Sequence, residues 1–251
     1  KKNKIVVLEH VQLIEARTFT KWKEAEKISI WDSNIEEVQE TLFCPNLSTL
    51  LIRANRMLQT ISSEFFQYMP GIRVLDLSDN SELTKLPVGI SKLTSLEYLN
   101  LSGTRIVELP IDLKNLTKLR CLLVAFIYVC LKIPRELVLG LSSLQVFDIY
   151  GTSGISEKEL VEQLDCLEDL MDVSISLNNA IAVQSLQNSS CKLQRCIRRL
   201  KICKSTGTWS LTLLEISSFK HLERFELTKF DDVEIFLQME GRQICASPDN
   251  S

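Results

Sequence analysis

The sequence predicts an α/β solenoid: short strands stacked into a concave parallel β-sheet, with an irregular, short-helical wall on the convex side. Three features predict it. Ile72, Leu75, Leu77 and Asn80 reappear 24 residues later as Leu96, Leu99, Leu101 and Thr104, so one unit is written twice. Weaker copies surround these two, starting at Ala25, Leu47, Leu119, Leu144, Leu170, Ile197 and Leu222, with start-to-start spacings of 22 to 27 residues. Finally, Leu86-Pro87 and Leu109-Pro110 are each followed by apolar residues three apart (Ile90, Leu93, Leu96 and Leu113, Leu116, Leu119), which suits a tightly wound outer wall.

Each part of the unit has a physical reason. Residues two apart on a strand share a face, so Leu75 and Leu77 point inward while Val74, Asp76 and Ser78 point out. A single strand cannot bury that apolar side, whereas a stack of them can. Asn80 is expected to turn inward and satisfy backbone groups of the bend after the strand, a task that Thr104 performs only in part. The pattern is therefore a leucine-rich repeat, and about nine repeats make a horseshoe.

In chain order, Ile5 to Leu8 reads as an apolar strand with no partner in this segment, and residues 1–24 as a flank from a preceding domain. Residues 25–240 form the repeat domain. Its first unit is Ala25, Ile28, Ile30, Ser33 and its second Leu47, Leu50, Ile52, Asn55. Phe65, Phe66 and Met69, ahead of Pro70, predict a short helix over 62–69. In the fifth unit (Leu119, Leu122, Val124) Ile127 takes the Asn position, and the sixth is Leu144, Phe147, Ile149, Thr152. Ser156 and Glu159 form a capping-box pattern that opens a predicted helix to Asp169. The seventh unit is Leu170, Val173, Ile175, Asn178; the eighth Ile197, Leu200, Ile202, Ser205; the ninth Leu222, Phe225, Leu227. Residues 241–251 read as a polar, disordered tail.

Composition narrows the function. The 251 residues carry 29 basic and 32 acidic side chains, net −3, which argues against a general polyanion binder such as a nucleic-acid protein. There is no apolar run long enough to span a membrane. Without an initiator Met or a signal-like start, the chain is expected to be excised from a longer one. The 8 Cys show neither paired spacing nor terminal clusters, which fits reduced thiols and a cytoplasmic protein, membrane-associated only through other regions. Sequons at Asn46, Asn100, Asn115 and Asn188 point the other way, but such patterns arise by chance in these repeats.

No catalytic constellation is visible. Phosphate-loop and dinucleotide motifs are absent, so no cofactor is expected in this segment. His10 and His221 stand in no ligand spacing, and Cys191, Cys196 and Cys203 lack a fourth zinc ligand. Cys245 has no catalytic surroundings. The outward strand positions carry more information. Trp31, Tyr98, Asn100, Leu123, Phe126, Asp148 and Tyr150 are the candidate protein-binding residues, with Leu123 and Phe126 an apolar patch of the kind that marks interfaces. Asp76 and Asp79 are candidates for an intramolecular regulatory contact. The cluster Arg195, Arg198, Arg199, Lys201 and Lys204 reads as a solvated basic strand rather than a phosphate site.

Several segments resemble a known family: Trp22-Lys23-Glu24-Ala25 leading into Ile28-Ser29-Ile30, Cys44-Pro45-Asn46-Leu47, Phe65-Phe66-Gln67-Tyr68-Met69-Pro70, Val74-Leu75-Asp76-Leu77-Ser78 and Tyr98-Leu99-Asn100-Leu101-Ser102. They are similar to the repeat region of plant coiled-coil nucleotide-binding leucine-rich-repeat disease-resistance proteins, through about Leu144. Val38-Gln39 departs from the Leu-Pro that usually closes the first unit. The resemblance implies an intracellular immune receptor. Its repeats would restrain an upstream nucleotide-binding domain, where ADP or ATP would sit, and sense a pathogen effector or a guarded host protein. A signalling scaffold of the Ras-pathway type and a ubiquitin-ligase substrate adaptor remain the alternatives.

The inward and outward assignment is testable. Leu99→Asp is expected to lose about 2 kcal/mol of burial and to add several more for an unpaired buried charge, whereas Tyr98→Ala leaves folding nearly intact. Equal shifts in thermal melting would refute the assignment.

Overall fold

The computed structural model describes residues 5–9, 22–38, 43–152, 154–203, 218–228 and 243–247. They form the expected solenoid. Its concave side is an 11-stranded sheet made of β1 (Ile5–Glu9), β2 (Lys27–Trp31), β4 (Thr49–Arg53), β6 (Val74–Asp76), β7 (Tyr98–Asn100), β8 (Cys121–Leu123), β9 (Val146–Asp148), β10 (Asp172–Leu177), β11 (Ile197–Cys203), β12 (Arg224–Thr228) and β13 (Gln243–Ser247). All neighbours pair in parallel. A second, two-stranded sheet on the flank joins β3 (Glu37–Val38) to β5 (Thr60–Ile61).

The repeat Leu and Ile residues meet in one continuous core, and Leu50, Leu75, Leu99 and Leu122 are almost fully buried within it. Behind the sheet, 3-10 turns follow Pro87 (Val88–Lys92) and Pro110 (Ile111–Asn115). Further along, the wall becomes helical: α1 (Arg135–Gly140), α2 (Glu157–Asp165), α3 (Ala180–Gln187) and α4 (Cys191–Cys196). Proline supplies a fixed φ immediately before three of these elements, at Pro87, Pro110 and Pro134.

The bends are held by a side-chain ladder. Ser33 N donates to Asn55 Oδ1 at 3.0 Å, and Asn55 N to Asn80 Oδ1 at 2.9 Å. Asn80 Nδ2 donates to Ile52 O and Leu77 O at 2.8 and 2.7 Å. Thr104 gives a single bond, from Oγ1 to Leu101 O at 2.7 Å. Ile127 contributes none and is buried, but Thr152 compensates from the next repeat: it accepts Ile127 N at 3.1 Å and donates to Val124 O at 2.6 Å.

Five expectations are corrected. The apolar strand β1 does have a partner, β2, with Ile5 opposite Lys27, so the sheet continues across the boundary expected at residue 24; residues 1–4 and 10–21 lie outside the described residues. The tail contains β13, parallel to β12 with Gln243 opposite Arg224; residues 241–242 and 248–251 lie outside the description. Over 62–69 there is no helix but a run of tight turns, Phe65 N to Ser62 O and Met69 N to Phe66 O at 3.1 Å, which still bury Phe65, Phe66 and Met69. Ser156 caps no amide in α2. Instead the carboxylate of buried Glu157 accepts Asn178 N at 2.7 Å, Asn178 Nδ2 at 2.6 Å and Asn179 Nδ2 at 2.9 Å, which withdraws Asn178 from the ladder.

The fifth correction is one of register. Equivalent positions of units seven and eight would place Ser174 beside Lys201, but the structure pairs Ser174 with Arg199, Ile175 with Leu200 and Leu177 with Ile202, after a bulge at Arg198. The offset is two residues. An even offset keeps Leu200 and Ile202 inside, whereas an odd one would turn them to solvent.

Asn80→Ala would leave Asn55 N, Ile52 O and Leu77 O without these bonds. At about 1–3 kcal/mol for each buried group left unpaired, it is expected to cost roughly 3 kcal/mol or more, measured as a lower denaturant midpoint. Thr104→Ala is expected to cost about a third of that.

Candidate functional site

The outward side chains form rows across the concave sheet. One row runs Leu51, Asp76, Asn100, Leu123, Asp148, Ser174, Arg199 and Arg224 through β4 to β12. Three polar members of this row hold the ends of their strands. Asp76 Oδ1 accepts Ser78 N at 2.9 Å, Asn100 Oδ1 accepts Ser102 N at 3.0 Å and Asp148 Oδ1 accepts Tyr150 N at 3.0 Å. Each thereby closes the end of its strand as an Asx turn.

Outward does not mean exposed. Asp76 is 6% exposed and pairs with Arg53 at 3.5 Å, so its carboxylate is not the open surface acid expected from its position. Asp79 is exposed. Tyr150 is only 3% exposed and is not a surface anchor. Its ring lies edge-on to Phe126 at 6.0 Å and 71°, and the Arg199 guanidinium sits 5.1 Å above it. Burial pushes the Tyr150 hydroxyl above its usual range, with the neighbouring Glu226 carboxylate adding to the effect.

Arg199 is the residue that position-by-position reading misses. The offset at Arg198 moves it into the row of Asp148 and Ser174, and because Ser174 is short, Arg199 reaches across β10. It pairs with the Asp148 carboxylate on β9 and donates from Nε to Ser174 Oγ at 2.9 Å. Burial holds the Asp148 carboxyl above its ordinary value despite the Tyr150 amide and Arg199, which pull it down. The rest of the basic cluster is also paired: Arg198 with Asp172 and Glu223, each at 3.9 Å, and Lys201 with Glu226 at 3.7 Å. Arg195 bonds the Cys191 carbonyl. Lys204 lies outside the described residues.

Of the expected binding residues, Tyr98, Asn100, Leu123, Phe126, Asp148 and Tyr150 come together on β7, β8, β9 and the bends that follow. Trp31 does not join them. It lies on β2, five strands from β9, or about 24 Å at 4.8 Å per strand. Phe126 is the exposed member of the group at 42%. Leu123 and Tyr98 are half-buried. Among the described residues no three His, Cys, Asp or Glu side chains gather as metal ligands, and no helix is long and apolar enough to cross a membrane.

Comparison with known proteins agrees with this architecture. A family model described as a leucine-rich repeat region matches residues 27–238. The chain is 31% identical over 250 residues to the probable disease resistance protein At1g15890 of Arabidopsis thaliana, covering 96% of this chain and 28% of that protein. It is 33% identical over 228 residues to the disease resistance protein RPS5 of Arabidopsis thaliana, covering 88% and 25%. The chain thus spans about a quarter of the length of these curated relatives. Among solved structures, a leucine-rich-repeat protein of Leptospira interrogans superposes with TM-score 0.56 at 18% identity, over 84% of this chain and 57% of that one. A TLR13–ssRNA13 complex gives TM-score 0.56 at 21% identity, over 89% and 32%. These two likenesses show the fold.

The brace at Arg199 can be measured. Arg199→Ala leaves a half-buried carboxylate without its partner and is expected to cost roughly 1–3 kcal/mol, tempered by solvent screening. In an Asp148→Ser background the same change is expected to cost much less. Arg199→Lys is not expected to restore stability, since an ammonium cannot stack on Tyr150 while bonding Asp148 and Ser174 together. Additive losses in a denaturant double-mutant cycle would refute the brace.

Proposed function

Because the chain belongs to the leucine-rich-repeat family, and its curated relatives are plant disease resistance proteins, we propose that it is the protein-interaction and autoregulatory module of an intracellular plant immune receptor. In this reading the concave sheet senses a pathogen effector or an effector-modified host protein. The first repeats restrain a nucleotide-binding switch elsewhere in the same receptor, where ADP or ATP binds. One observation carries the assignment of the sensing surface: Phe126 stands exposed at the bend that follows β8, against Tyr150, and the Asp148 carboxylate on the next strand is paired with Arg199. An extended concave sheet suits a macromolecular partner, and an exposed aromatic among apolar neighbours is the usual form of an interface anchor.

The regulatory contact rests on Asp79 rather than Asp76, which stays with the strand end and with Arg53. A partner bound at Phe126 acts on the switch only through a difference in affinity between its restrained and released states. The two ends of the surface therefore have separable phenotypes.

In the full-length receptor, Asp79→Lys is expected to cause cell death in leaf tissue without the cognate effector. Phe126→Ala is expected to abolish the effector response without spontaneous activity. Asp76→Lys is expected to lower receptor abundance by destabilising the strand end. Spontaneous activity from Phe126→Ala, or a silent receptor from Asp79→Lys at normal abundance, would overturn the assignment.

A further inference from the structure

Phe126 holds a backbone conformation that its residue type disfavours. Its φ is +55°, in the left-handed region that Gly, Asn and Asp tolerate and bulky side chains rarely enter. The position is demanding in every early repeat: Asp32, Ala54, Asp79, Gly103 and Gly151, each just before the inward-turning residue, also have positive φ. Among these six, Phe126 is the only aromatic, and such outliers persist where their surroundings over-determine them.

The surroundings do so here. A Cβ on Gly151 would lie 2.8 Å from Phe126 Cδ1 and 3.1 Å from Cε1, so the ring occupies the space that any other residue would fill. Tyr150 meets the ring edge-on and is itself held under Arg199, which Asp148 and Ser174 fix in place. Along β8, Leu123 carries no charge and burial pushes the Cys121 thiol up to about 11 and keeps it neutral; on β9 the Asp148 carboxylate is paired with Arg199, whose guanidinium lies over Tyr150.

We propose that Gly151 is a positioning residue, the seat of a preformed anchor: it lets the Phe126 ring rest against Tyr150 and present its exposed part to an uncharged aromatic or aliphatic side chain of a protein partner. This rests on reading the concave face as the sensing surface, and adds to that reading both the chemistry of the partner and a residue that touches no partner itself.

The test uses the 251-residue chain and three probes of known chemistry: N-acetyltryptophanamide, N-acetylargininamide and N-acetylaspartic acid amide, titrated against labelled protein by NMR. The tryptophan probe is expected to shift the Phe126 and Leu123 signals to the same extent between about 0.05 and 0.5 M NaCl, and the charged probes are not. Gly151→Asn tolerates a left-handed backbone but adds a Cβ, and is expected to weaken the tryptophan shifts about fivefold or more. Gly103→Asn, which has the same backbone demand beside Asp79, is expected to preserve them. Should Gly151→Asn also destabilise the chain, its melting penalty is expected to fall by about half in a Phe126→Ala background, where the crowding is relieved. Equal probe shifts in Gly151→Asn and the parent, or a melting penalty unchanged by Phe126→Ala, would overturn the seat alone. A charged probe that shifts Phe126 as much as the tryptophan probe does would overturn the partner chemistry. A tryptophan probe that shifts no concave signal would sink the seat and the sensing surface together.

Discussion

The backbone amide of the inward-turning residue in a bend, as at Ser33, Asn55 and Ile127, must find an acceptor inside the solenoid. The Asn and Thr side chains of the bend meet this requirement by linking one repeat to the next, Asn55 to Asn80 and Ile127 to Thr152. To bring that side chain inward, the residue before it must turn through a left-handed conformation, as Asp32, Ala54, Asp79, Gly103, Phe126 and Gly151 all do. The line of positive φ along one rim and the exposure of Phe126 therefore follow from one hydrogen-bonding constraint.

The same constraint organises the concave face. Asp76, Asn100 and Asp148 spend an oxygen on the strand end, and the remaining charge of the two acids is met by Arg53 and Arg199. Basic residues near the C-terminal strands are likewise matched by Asp172, Glu223 and Glu226. A surface with nearly balanced charge in the sequence is thus balanced locally as well, and its recognition depends on shape and apolar contact more than on long-range attraction.

Much of this was legible in the sequence. The alternation of Leu75 and Leu77 gives the strand and its inward face, and the inward Asn80 follows from counting backbone donors. What escaped has identifiable reasons. β1 was legible as an apolar strand but its pairing with β2 was not, and β13 lacks the full repeat signature, so only the pairing with β12 reveals it. Glu157 and Asn178 are 21 residues apart, whereas the capping pattern at Ser156 is local. Outward orientation also overstates exposure on a concave sheet, where neighbouring side chains converge; Asp76 and Tyr150 are buried for that reason. The pairing of Arg199 with Asp148 depends on a bulge that periodic counting cannot see.

The junction between β10 and β11 divides the array into two phases. Repeats before β11 stack in the alignment that the sequence suggests, while β11 and β12 match each other but sit displaced by two residues from β10. The seam behaves like a dislocation in a crystal. Within either phase the outward residues stay in line from strand to strand, whereas loss of the junction would shift every later outward residue relative to those before. Because the displacement is even, such a shift keeps the apolar residues inside and yet aligns the outward surface differently. A lineage could therefore acquire a new arrangement of contacts from old repeats without altering a single outward residue.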